Sequence, residues 1–406
     1  MKVALVGLGM GSGDTLSQGA GRALARADLV IGARRLLAGL PEGVTANRLA
    51  MVRAEEILAC IKSQEPGTRI CVVYSGDLGF YSGAKTLRPL LAAAGIREES
   101  FCGVTTVQYL AARLGQPWQD LHLVSAHGGP CDVLAHVLNH EKCFFLTGGE
   151  ITPGGICREL TAAGLGDSRI TVGERLSYAD ERIVSGTAAE LAEQDFNVLS
   201  AVVVFRTKTA FCRESRGQGI PDEEFIRGQV PMTKREVRCQ ILSLLELKED
   251  DLVWDVGAGT GSVAVEMALC ARWGRVFAIE ENPEACRLIQ ANREKFGAYH
   301  LFCVTGSAPA ALAQLPAPAA VFVGGSKGRM KEILEQALTK NPQVRVVVSA
   351  VTLETLQAAA AALQESGFRQ LQILQLAVSR AEKLGQGHYL KSLNPIFLLS
   401  GVGGHA

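Results

Sequence analysis

Hydrophobic and polar positions alternate in blocks along this chain. Short runs of β-branched and other apolar residues are each followed by a glycine-rich turn and then by an Ala- and Leu-rich segment with helical spacing. That order is typical of α/β proteins, in which helices connect parallel strands. In the first half the pattern predicts strands at Val3–Val6, Ile70–Tyr74, Leu121–Ser125 and Val198–Phe205. We therefore expect an α/β fold with mostly parallel sheets.

The second half repeats the rhythm after a polar interruption. Residues 206–219 lack an apolar period and are rich in Arg and Gly, so we interpret residues 210–218 as a linker. A helix is predicted from Thr233 to Glu246, because Thr233 and Glu236 have the spacing of a capping box. This division predicts one domain over residues 1–209 and another over residues 219–406.

A complete βαβ unit follows that helix. Its strands are predicted at Leu252–Val256 and Val276–Ile279, with a helix from Ser262 to Ala271 between them. The later apolar segments Val344–Val348 and Ile396–Leu399 are candidates for buried strands or for contacts between subunits.

Composition narrows the class of protein. The chain has 406 residues, of which 48% are apolar, and this is enough for two packed domains. Lys+Arg and Asp+Glu both number 41, so no excess charge attracts nucleic acid or an anionic membrane. The N-terminus becomes glycine-rich at Gly7, before an apolar signal segment could form. The 11 cysteines include no C-x-x-C pair. We expect a cytoplasmic protein with reduced thiols, no metal site, no nucleic-acid partner and no membrane partner.

The glycine loop of the second half is the more specific of two such loops. Gly257-Ala258-Gly259-Thr260-Gly261 follows a strand that contains Asp255, and Glu280 ends the next strand. A carboxylate there can accept hydrogen bonds from both ribose hydroxyls of a nucleoside. The spacing G-x-G-x-G differs from the dinucleotide pattern G-x-G-x-x-G, so it favours S-adenosylmethionine. A nicotinamide cofactor, or a structural turn with a solvated Glu280, remains an alternative.

The first half has four loops at predicted strand ends. They are Val6–Gly13, Ser75–Gly83, Gly103–Thr106 and Ser125–Gly128, and such loops form the ligand cleft of open α/β sheets. Asp77 is as well suited to an Asx turn as to ligand contact. His127 is either an ordinary loop histidine or a base.

As a set, the first-half loops and Val172-Gly173-Glu174-Arg175-Leu176 resemble the tetrapyrrole (corrin/porphyrin) methylase family over about 205 residues. The resemblance implies the class III S-adenosylmethionine methyltransferase fold, with two α/β subdomains and the cofactor between them. Met10 departs from the family, because many relatives have proline there, and we expect altered loop rigidity without loss of binding. The cofactor contacts that the resemblance implies are Gly7, Gly9, Met10, Gly76, Asp77, Phe80, Thr105 and Thr106.

The second half resembles the decarboxylating precorrin methyltransferases of the class I, Rossmann-like fold. The resemblance runs from Gly219-Ile220-Pro221 to Asn394-Pro395-Ile396-Phe397 and includes the glycine loop and Val321–Ser326. It implies a homo-oligomer assembled through this half. The cofactor contacts it implies are Thr233, Gly257, Ala258, Gly259, Thr260, Gly261, Glu280 and Ala308.

The order of the two halves is similar to that of the fused precorrin-6Y C-5,15-methyltransferases (decarboxylating). That resemblance implies a bifunctional enzyme of cobalamin biosynthesis with one S-adenosylmethionine site per domain. The first half would methylate C-5 of a precorrin or cobalt-precorrin, and the second would methylate C-15 and decarboxylate the C-12 acetate. Candidate binders of the substrate carboxylates in the second half are Lys234, Arg238, Lys327 and Arg329.

Two other functions are compatible with the glycine loops alone. One is a methyltransferase for RNA or another small molecule, although neutral charge and an aromatic content of 6% argue against RNA. The other is a scaffold that binds S-adenosylmethionine without catalysis, and the intact loops in both halves argue against it.

Overall fold

The computed structural model describes residues 2–126, 131–212 and 218–404. His127 and Gly128 lie outside the described residues, as do residues 213–217 of the predicted linker. Contacts divide the chain into two units. The first unit consists of Met1–Cys131, His140–Ala162 and Gly166–Phe205, and the second of Asp132–Asn139, Ala163–Leu165 and Arg206–Ala406.

Strands and helices alternate from the start of the chain to Phe205. In chain order they are β1 (Lys2–Gly7), α1 (Gln18–Ala25), β2 (Leu29–Gly32), α2 (Arg34–Ala38), β3 (Asn47–Ala50), α3 (Ala54–Lys62), β4 (Ile70–Tyr74), α4 (Ala84–Ala93), β5 (Arg97–Phe101), α5 (Thr106–Leu114), β6 (His122–Ser125), α6 (Val133–Asn139), β7 (Lys142–Leu146), α7 (Pro153–Ala162), β8 (Arg169–Glu174), β9 (Arg182–Thr187), α8 (Ala188–Leu191) and β10 (Ser200–Phe205).

The first unit contains two five-stranded sheets. The first has the order β3-β2-β4-β1-β5 with parallel pairing throughout, so the carboxyl ends of β1 and β4 meet at one edge. The second has the order β6-β7-β10-β8-β9, and only the β6–β7 pair is parallel. The α/β class is confirmed, but the expectation of mostly parallel pairing is wrong for this second sheet. Residues 175–181 connect β8 to β9, which is short enough for an antiparallel pair, and the last strand β10 inserts between β7 and β8 antiparallel to both.

The second unit is built mainly from residues 206–404. Its elements are α9 (Arg235–Leu245), β11 (Leu252–Val256), α10 (Ser262–Cys270), β12 (Arg275–Glu280), α11 (Pro283–Lys295), β13 (Leu301–Thr305), β14 (Ala320–Val323), α12 (Met330–Lys340), β15 (Arg345–Ala350), α13 (Leu353–Glu365), β16 (Arg369–Leu376), β17 (Ser379–Leu384), β18 (Gly387–Ser392) and β19 (Ile396–Val402).

A seven-stranded sheet with the order β13-β12-β11-β14-β15-β19-β16 organises this unit. The strands from β13 to β15 are parallel, whereas β19 and β16 are antiparallel. Both faces are covered by apolar clusters, which explains why strands such as Val253–Val256 have few polar residues. The order reverses between β11 and β14, the position where open α/β sheets bind ligands.

Most predicted strands of the second half are confirmed. Leu252–Val256 coincides with β11, and the apolar segments near Val344 and Ile396 are the paired strands β15 and β19 of one sheet. The predicted capping box is wrong, because α9 begins at Arg235 and its N-cap is Lys234 without a side-chain cap. Instead the Asp222 carboxylate accepts a hydrogen bond from the Arg235 N–H at 3.0 Å. Glu236 instead binds Arg380.

No helix in the described part of the chain combines the length and apolar character needed to span a membrane.

Candidate functional site

The glycine loop after β11 is shaped by three left-handed residues. Gly257, Gly259 and Gly261 have φ angles of 73°, 57° and 76°, which L side chains rarely adopt. A Cβ on Gly257 would lie 2.8 Å from the Gly325 main-chain nitrogen, so this position also needs glycine for close approach. A Cβ on Gly261 would lie 2.9 Å from Ile289 Cγ1, so the third glycine serves packing of α10 against α11.

The members of this loop differ in exposure. Thr260 and Gly261 are buried, whereas Gly257 is exposed and Ala258 and Gly259 are partly exposed. A bound nucleoside can therefore contact the first three residues of the loop directly. Thr260 and Gly261 contribute to the shape of the loop and are not accessible at its surface.

Glu280 joins this loop to the end of β12. One carboxylate oxygen accepts a hydrogen bond from the Gly259 N–H at 2.9 Å. The other accepts from the N–H groups of Glu281 and Asn282 at 3.0 and 2.9 Å. A carboxylate has about four acceptor positions, so one remains, on the oxygen that faces Gly259. Two ribose hydroxyls could bind together only if a main-chain N–H were displaced.

A cavity of about 210 Å³ lies beside the loop. It brings together four residues predicted from the sequence, Gly257, Glu280, Ala308 and Lys327. Thr233, Lys234 and Arg329 do not line it. Glu281, Gly306, Ser307, Gly325 and Ser326 complete the polar part of its lining.

Asp255 lies on β11, two residues before Gly257, and sequence reasoning did not single it out as a site residue. It is completely buried, and neither carboxylate oxygen has a hydrogen-bond partner among the described residues. Burial raises the pKa of Asp255 from 3.8 to about 7, and the nearby Glu280 adds to the rise. The sequence does contain a signal for Asp255, since an acidic residue in an otherwise apolar strand is unusual.

The structure contradicts the prediction that Arg238 binds a substrate carboxylate. Its side chain is 0% exposed and forms ion pairs with Asp222 at 2.8 Å and Glu266 at 2.7 Å. Two further donors bind the carbonyl oxygens of Thr233 and Ile220. An arginine that is fully buried, with its charge paired inside the protein, cannot reach a carboxylate of a ligand.

The three other predicted cations are exposed. Lys327 is 70% exposed and forms an ion pair with Glu281, whose pKa is lowered mainly by this contact. Lys234 and Arg329 are exposed at the starts of α9 and α12. All three therefore stay available to a carboxylate from solvent.

The glycine loop of the first unit is held by close main-chain contacts. Gly9 pairs with Gly76, and the Gly76 N–H donates to the Gly9 carbonyl at 2.8 Å. A Cβ on Gly7 would lie 2.6 Å from the Gly76 carbonyl oxygen and 2.9 Å from the Gly103 nitrogen. Three of the four predicted loops thus converge at the carboxyl ends of β1, β4 and β5.

Asp77 makes an Asx turn. Its carboxylate accepts from the Gly79 N–H at 2.7 Å and from the Gly103 N–H at 3.3 Å. The first bond shapes its own loop, and the second ties that loop to the neighbouring one. Asp77 thus holds the Ser75–Gly83 and Gly103–Thr106 loops together.

The remaining predicted residues of the first unit lie close to its second sheet. Met10 and Phe80 pack against a buried cluster that includes Val107 and Phe144. Thr105 caps α5 through a capping box with Gln108, and Thr106 begins that helix. The structure therefore brings the predicted first-half residues into one region of the unit.

Among the described residues, no group of three or more His, Cys, Asp or Glu side chains is placed to hold a metal ion.

Comparison with known proteins matches both parts of the chain to families. Residues 2–192 match the tetrapyrrole (corrin/porphyrin) methylases, and residues 224–402 match the precorrin methyltransferase domain. A precorrin-6Y C(5,15)-methyltransferase (decarboxylating) from Sinorhizobium is 32% identical over 363 residues, which are 87% of this chain and 85% of the relative.

Two further relatives resemble the second half. A cobalt-precorrin-6B C(15)-methyltransferase (decarboxylating) from Salmonella typhimurium is 40% identical and covers 44% of this chain and 93% of its own length. A crystal structure of a precorrin-6Y C5,15-methyltransferase from Geobacter metallireducens is 34% identical, with a TM-score of 0.44, and covers 46% of this chain and 97% of its own.

The Sinorhizobium relative extends across both units, so the similarity is not limited to one glycine loop. The predicted fold class, a tetrapyrrole-methylase fold followed by a class I methyltransferase fold, is confirmed. The family uses S-adenosylmethionine, which favours that cofactor over nicotinamide. The chain belongs to the family of the decarboxylating precorrin-6Y C(5,15)-methyltransferases.

Proposed function

We propose that this enzyme methylates a precorrin at C-5 and C-15 and removes carbon dioxide from its C-12 acetate, as a step in the formation of the cobalamin ring. The observation that carries the proposal is the presence of two separate glycine loops, each at the carboxyl end of a central parallel strand. One loop lies in each family match. A cobalt-containing precorrin has the same reacting carbons and is included as substrate.

Each unit is proposed to bind its own S-adenosylmethionine. In the second unit the ligand would lie in the cavity beside Gly257, with a ribose hydroxyl on the free acceptor position of Glu280. In the first unit it would lie against the loops that contain Gly9, Gly76 and Thr105. Both cradles fit the group, because an added Cβ on Gly7 or Gly257 would collide with main-chain atoms across the loop. Bound S-adenosylmethionine supplies an electrophilic methyl group on a sulfonium.

The chain itself needs to orient the tetrapyrrole and exclude water, because methyl transfer to carbon is an in-line displacement. Lys327, Arg329 and Lys234 are proposed to bind the acetate and propionate arms at the second site. Loss of carbon dioxide leaves an electron pair that the conjugated ring absorbs. The protein then has to hold the acetate in place without forming a covalent bond to it.

We further propose that residues 1–209 carry the C-5 activity and residues 219–406 the C-15 and decarboxylating activities. The second-half match of a C(15)-methyltransferase from Salmonella typhimurium supports this division. The cytoplasm is the proposed location. Buried thiols such as Cys71 and Cys157, whose pKa values burial raises to about 11, fit a reducing compartment.

A homo-oligomer that forms through the second unit is also proposed. The edge strand β16 exposes Ile373 at 57%, and the β17–β18 hairpin exposes Leu384 and Leu390 at 68% and 73%. Exposed apolar side chains along an edge strand favour pairing with another chain. Light scattering of the wild type and an Ile373→Lys variant tests this, and a monomeric wild type would contradict it.

The function is tested by incubating the full chain with precorrin-6Y and S-adenosylmethionine that carries a labelled methyl group. Mass spectrometry should show a product with two labelled methyl groups and one carbon dioxide fewer. A product that retains its mass, from protein that binds S-adenosylmethionine, would contradict the assignment of substrate.

A further inference from the structure

A cavity also lies in the first unit, and it extends beyond the residues that we propose bind S-adenosylmethionine. Its volume is about 230 Å³, and it opens beside the Leu8–Leu16 segment of the first glycine loop. The lining is mainly apolar, with Leu8, Leu16, Leu36, Pro41 and Leu199. The proposed cofactor residues Gly76, Asp77, Phe80, Thr105 and Thr106 do not line it. The cavity therefore shares the glycine loop with the cofactor region but extends to other residues.

Three polar side chains meet in this cavity, one from α2 and two from the loop that follows β8. Arg35, on α2, donates a hydrogen bond from Nη1 to the Tyr178 hydroxyl at 2.9 Å. The Arg175 guanidinium, just after β8, lies 5.1 Å from the centre of the same aromatic ring. Tyr178 also packs on the glycine loop, because a Cβ on Gly11 would lie 2.7 Å from its hydroxyl. One phenol thus fixes two guanidinium groups beside the loop.

The charges of this group do not balance. Arg175 forms an ion pair with Asp180 at 2.6 Å and holds the pKa of that carboxyl below its usual range. Arg35 has no carboxylate within ion-pair distance in the ranges that the structure describes. The two arginines are thus accompanied by a single carboxylate, which pairs with Arg175 alone. Most of the five Arg35 donors are free to bind a planar anion.

The size and lining of the cavity limit the anion. Its volume is below the roughly 300–1,000 Å³ of pockets that enclose a whole drug-sized ligand, so it suits one edge of a larger molecule. The apolar wall favours a carboxylate on an aliphatic arm over inorganic phosphate. Acetate and propionate arms on the rim of a tetrapyrrole have this chemistry. The methionine carboxylate of S-adenosylmethionine shares it.

We propose that Arg35 and Arg175, held by Tyr178, bind a peripheral carboxylate of the tetrapyrrole and thereby position the ring for methylation by the first unit. The inference rests on the proposed function. The tetrapyrrole is the better source of the carboxylate because the cavity is not lined by the loops at Gly76 and Thr105. Arg35 and Arg175 are positioning residues, which set the affinity for the ring and its orientation.

The test compares full-length Arg35→Gln and Arg175→Gln with the wild type. Each substitution removes a charge-assisted hydrogen bond, so the KM for the tetrapyrrole in C-5 methylation should rise roughly tenfold to a hundredfold. The affinity for S-adenosylmethionine and the C-15 activity should change less than about twofold. Arg35→Lys should restore part of the affinity. The matched control is Arg34→Gln, because Arg34 is an exposed neighbour that does not line the cavity.

Two results would overturn the inference. An unchanged KM in both Gln variants would remove the arginines from substrate binding, and a parallel loss of affinity for S-adenosylmethionine would assign the carboxylate to the cofactor. If the wild type methylates no precorrin, the proposed function fails separately. Binding of uroporphyrin, a tetrapyrrole with acetate and propionate arms, then still decides the inference, since Arg35→Gln must weaken it and Arg34→Gln must not.

Discussion

The two glycine loops of this enzyme each follow an internal strand that is parallel to both of its neighbours, yet the loops are stabilised in different ways. The loop at Gly257 is tied by the Glu280 carboxylate and lies above the buried Asp255. The loop at Gly9 has no such carboxylate, since β2 ends at Gly32 and is followed by Ala33 and Arg34. It is held by pairing with Gly76 and by packing of Tyr178.

This difference shows that a glycine-rich turn alone does not specify how a nucleoside is held. A carboxylate at the second strand supplies a directional, charged acceptor, so one side chain carries a large share of the specificity. Main-chain pairing distributes the same task over several loops. We therefore expect replacement of a single side chain to weaken nucleoside binding in the second unit. Replacement of a glycine at a close main-chain contact should weaken it in either unit.

The largest effects are expected from alanine at the two closest approaches. In Gly7→Ala the new Cβ would overlap the Gly76 carbonyl, and in Gly257→Ala it would overlap the Gly325 nitrogen. Each should weaken S-adenosylmethionine binding at its own site by about a thousandfold, on the order of 4 kcal/mol. Mass spectrometry of full-length variants should show loss of C-5 methylation in the first and of C-15 methylation in the second.

Gly13→Ala is the control for that pair, because no atom lies within 4 Å of its added Cβ. Loss of both activities in both single variants would mean that the loops do not work as separate sites.

Asp255→Asn should change how the free energy of unfolding depends on pH, because a buried carboxyl lies next to the second loop and not next to the first. The folded pKa of Asp255, about 7, exceeds the ordinary value of 3.8, so its contribution to stability is present below pH of about 4 and is lost as the pH rises to 7. His300 opposes it, since burial lowers its pKa from 6.5 to about 4 and stability is lost as the pH falls through that range. In the wild type these two contributions nearly cancel.

Only the His300 contribution remains in Asp255→Asn. Its free energy of unfolding should fall by on the order of 3 kcal/mol as the pH is lowered from about 7 to about 4, whereas that of the wild type should change little over the same range. Urea unfolding followed by the fluorescence of buried Trp254 measures this. Exposed Asp250→Asn is the control, and identical pH profiles for Asp255→Asn and the wild type would show that Asp255 is not protonated in the folded state.

Glu280→Gln tests how much one hydrogen-bond acceptor, the Glu280 carboxylate, contributes to the difference between the two loops. The amide of the variant has no negative charge. Its NH2 group would face main-chain N–H groups that donate hydrogen bonds to the carboxylate in the wild type. S-adenosylmethionine affinity at the second site should fall roughly tenfold to a hundredfold. Titration calorimetry separates the two sites, and the first should keep its affinity. Exposed Glu294→Gln on α11 should match the wild type.

The smallest effect is expected from Met10→Pro in the first loop. Proline would stiffen the turn but remove the Met10 N–H, which donates to Thr15 Oγ1 at 2.9 Å. These two changes are each about 1 kcal/mol and opposite in sign, so affinity should change less than about threefold. A loss above tenfold would show that this loop depends on the hydrogen bond more than on main-chain pairing.

Local patterns predicted much of this molecule. Strand Leu252–Val256 and the position of the glycine loop before α10 follow from apolar runs and glycines that are close in sequence. Prediction from local sequence patterns failed where the hydrogen-bond or ion-pair partners of a residue are distant in sequence. Thr233 has the residue type and spacing of a cap, but Asp222 provides the hydrogen bond from outside the helix. Arg238 carries a charge typical of a surface, and only the fold brings Asp222 and Glu266 to it.

The cavity at Tyr178 was equally hidden from the sequence. Arg35 and Tyr178 are 143 positions apart, and neither belongs to a glycine loop. Their proximity depends on how two sheets of one unit pack, which no local period encodes.

The buried Arg238 cluster also determines where the second unit can be cut. Glu266 accepts hydrogen bonds from the Gly219 and Ile220 N–H groups, and Arg238 needs the Ile220 carbonyl and Asp222. A fragment that starts at residue 223 would keep every helix and strand of the sheet but leave an arginine and a glutamate buried with half of their partners. Such a cut costs on the order of 3–5 kcal/mol. A fragment of the second unit therefore has to include Gly219, Ile220 and Asp222 to keep this buried cluster paired.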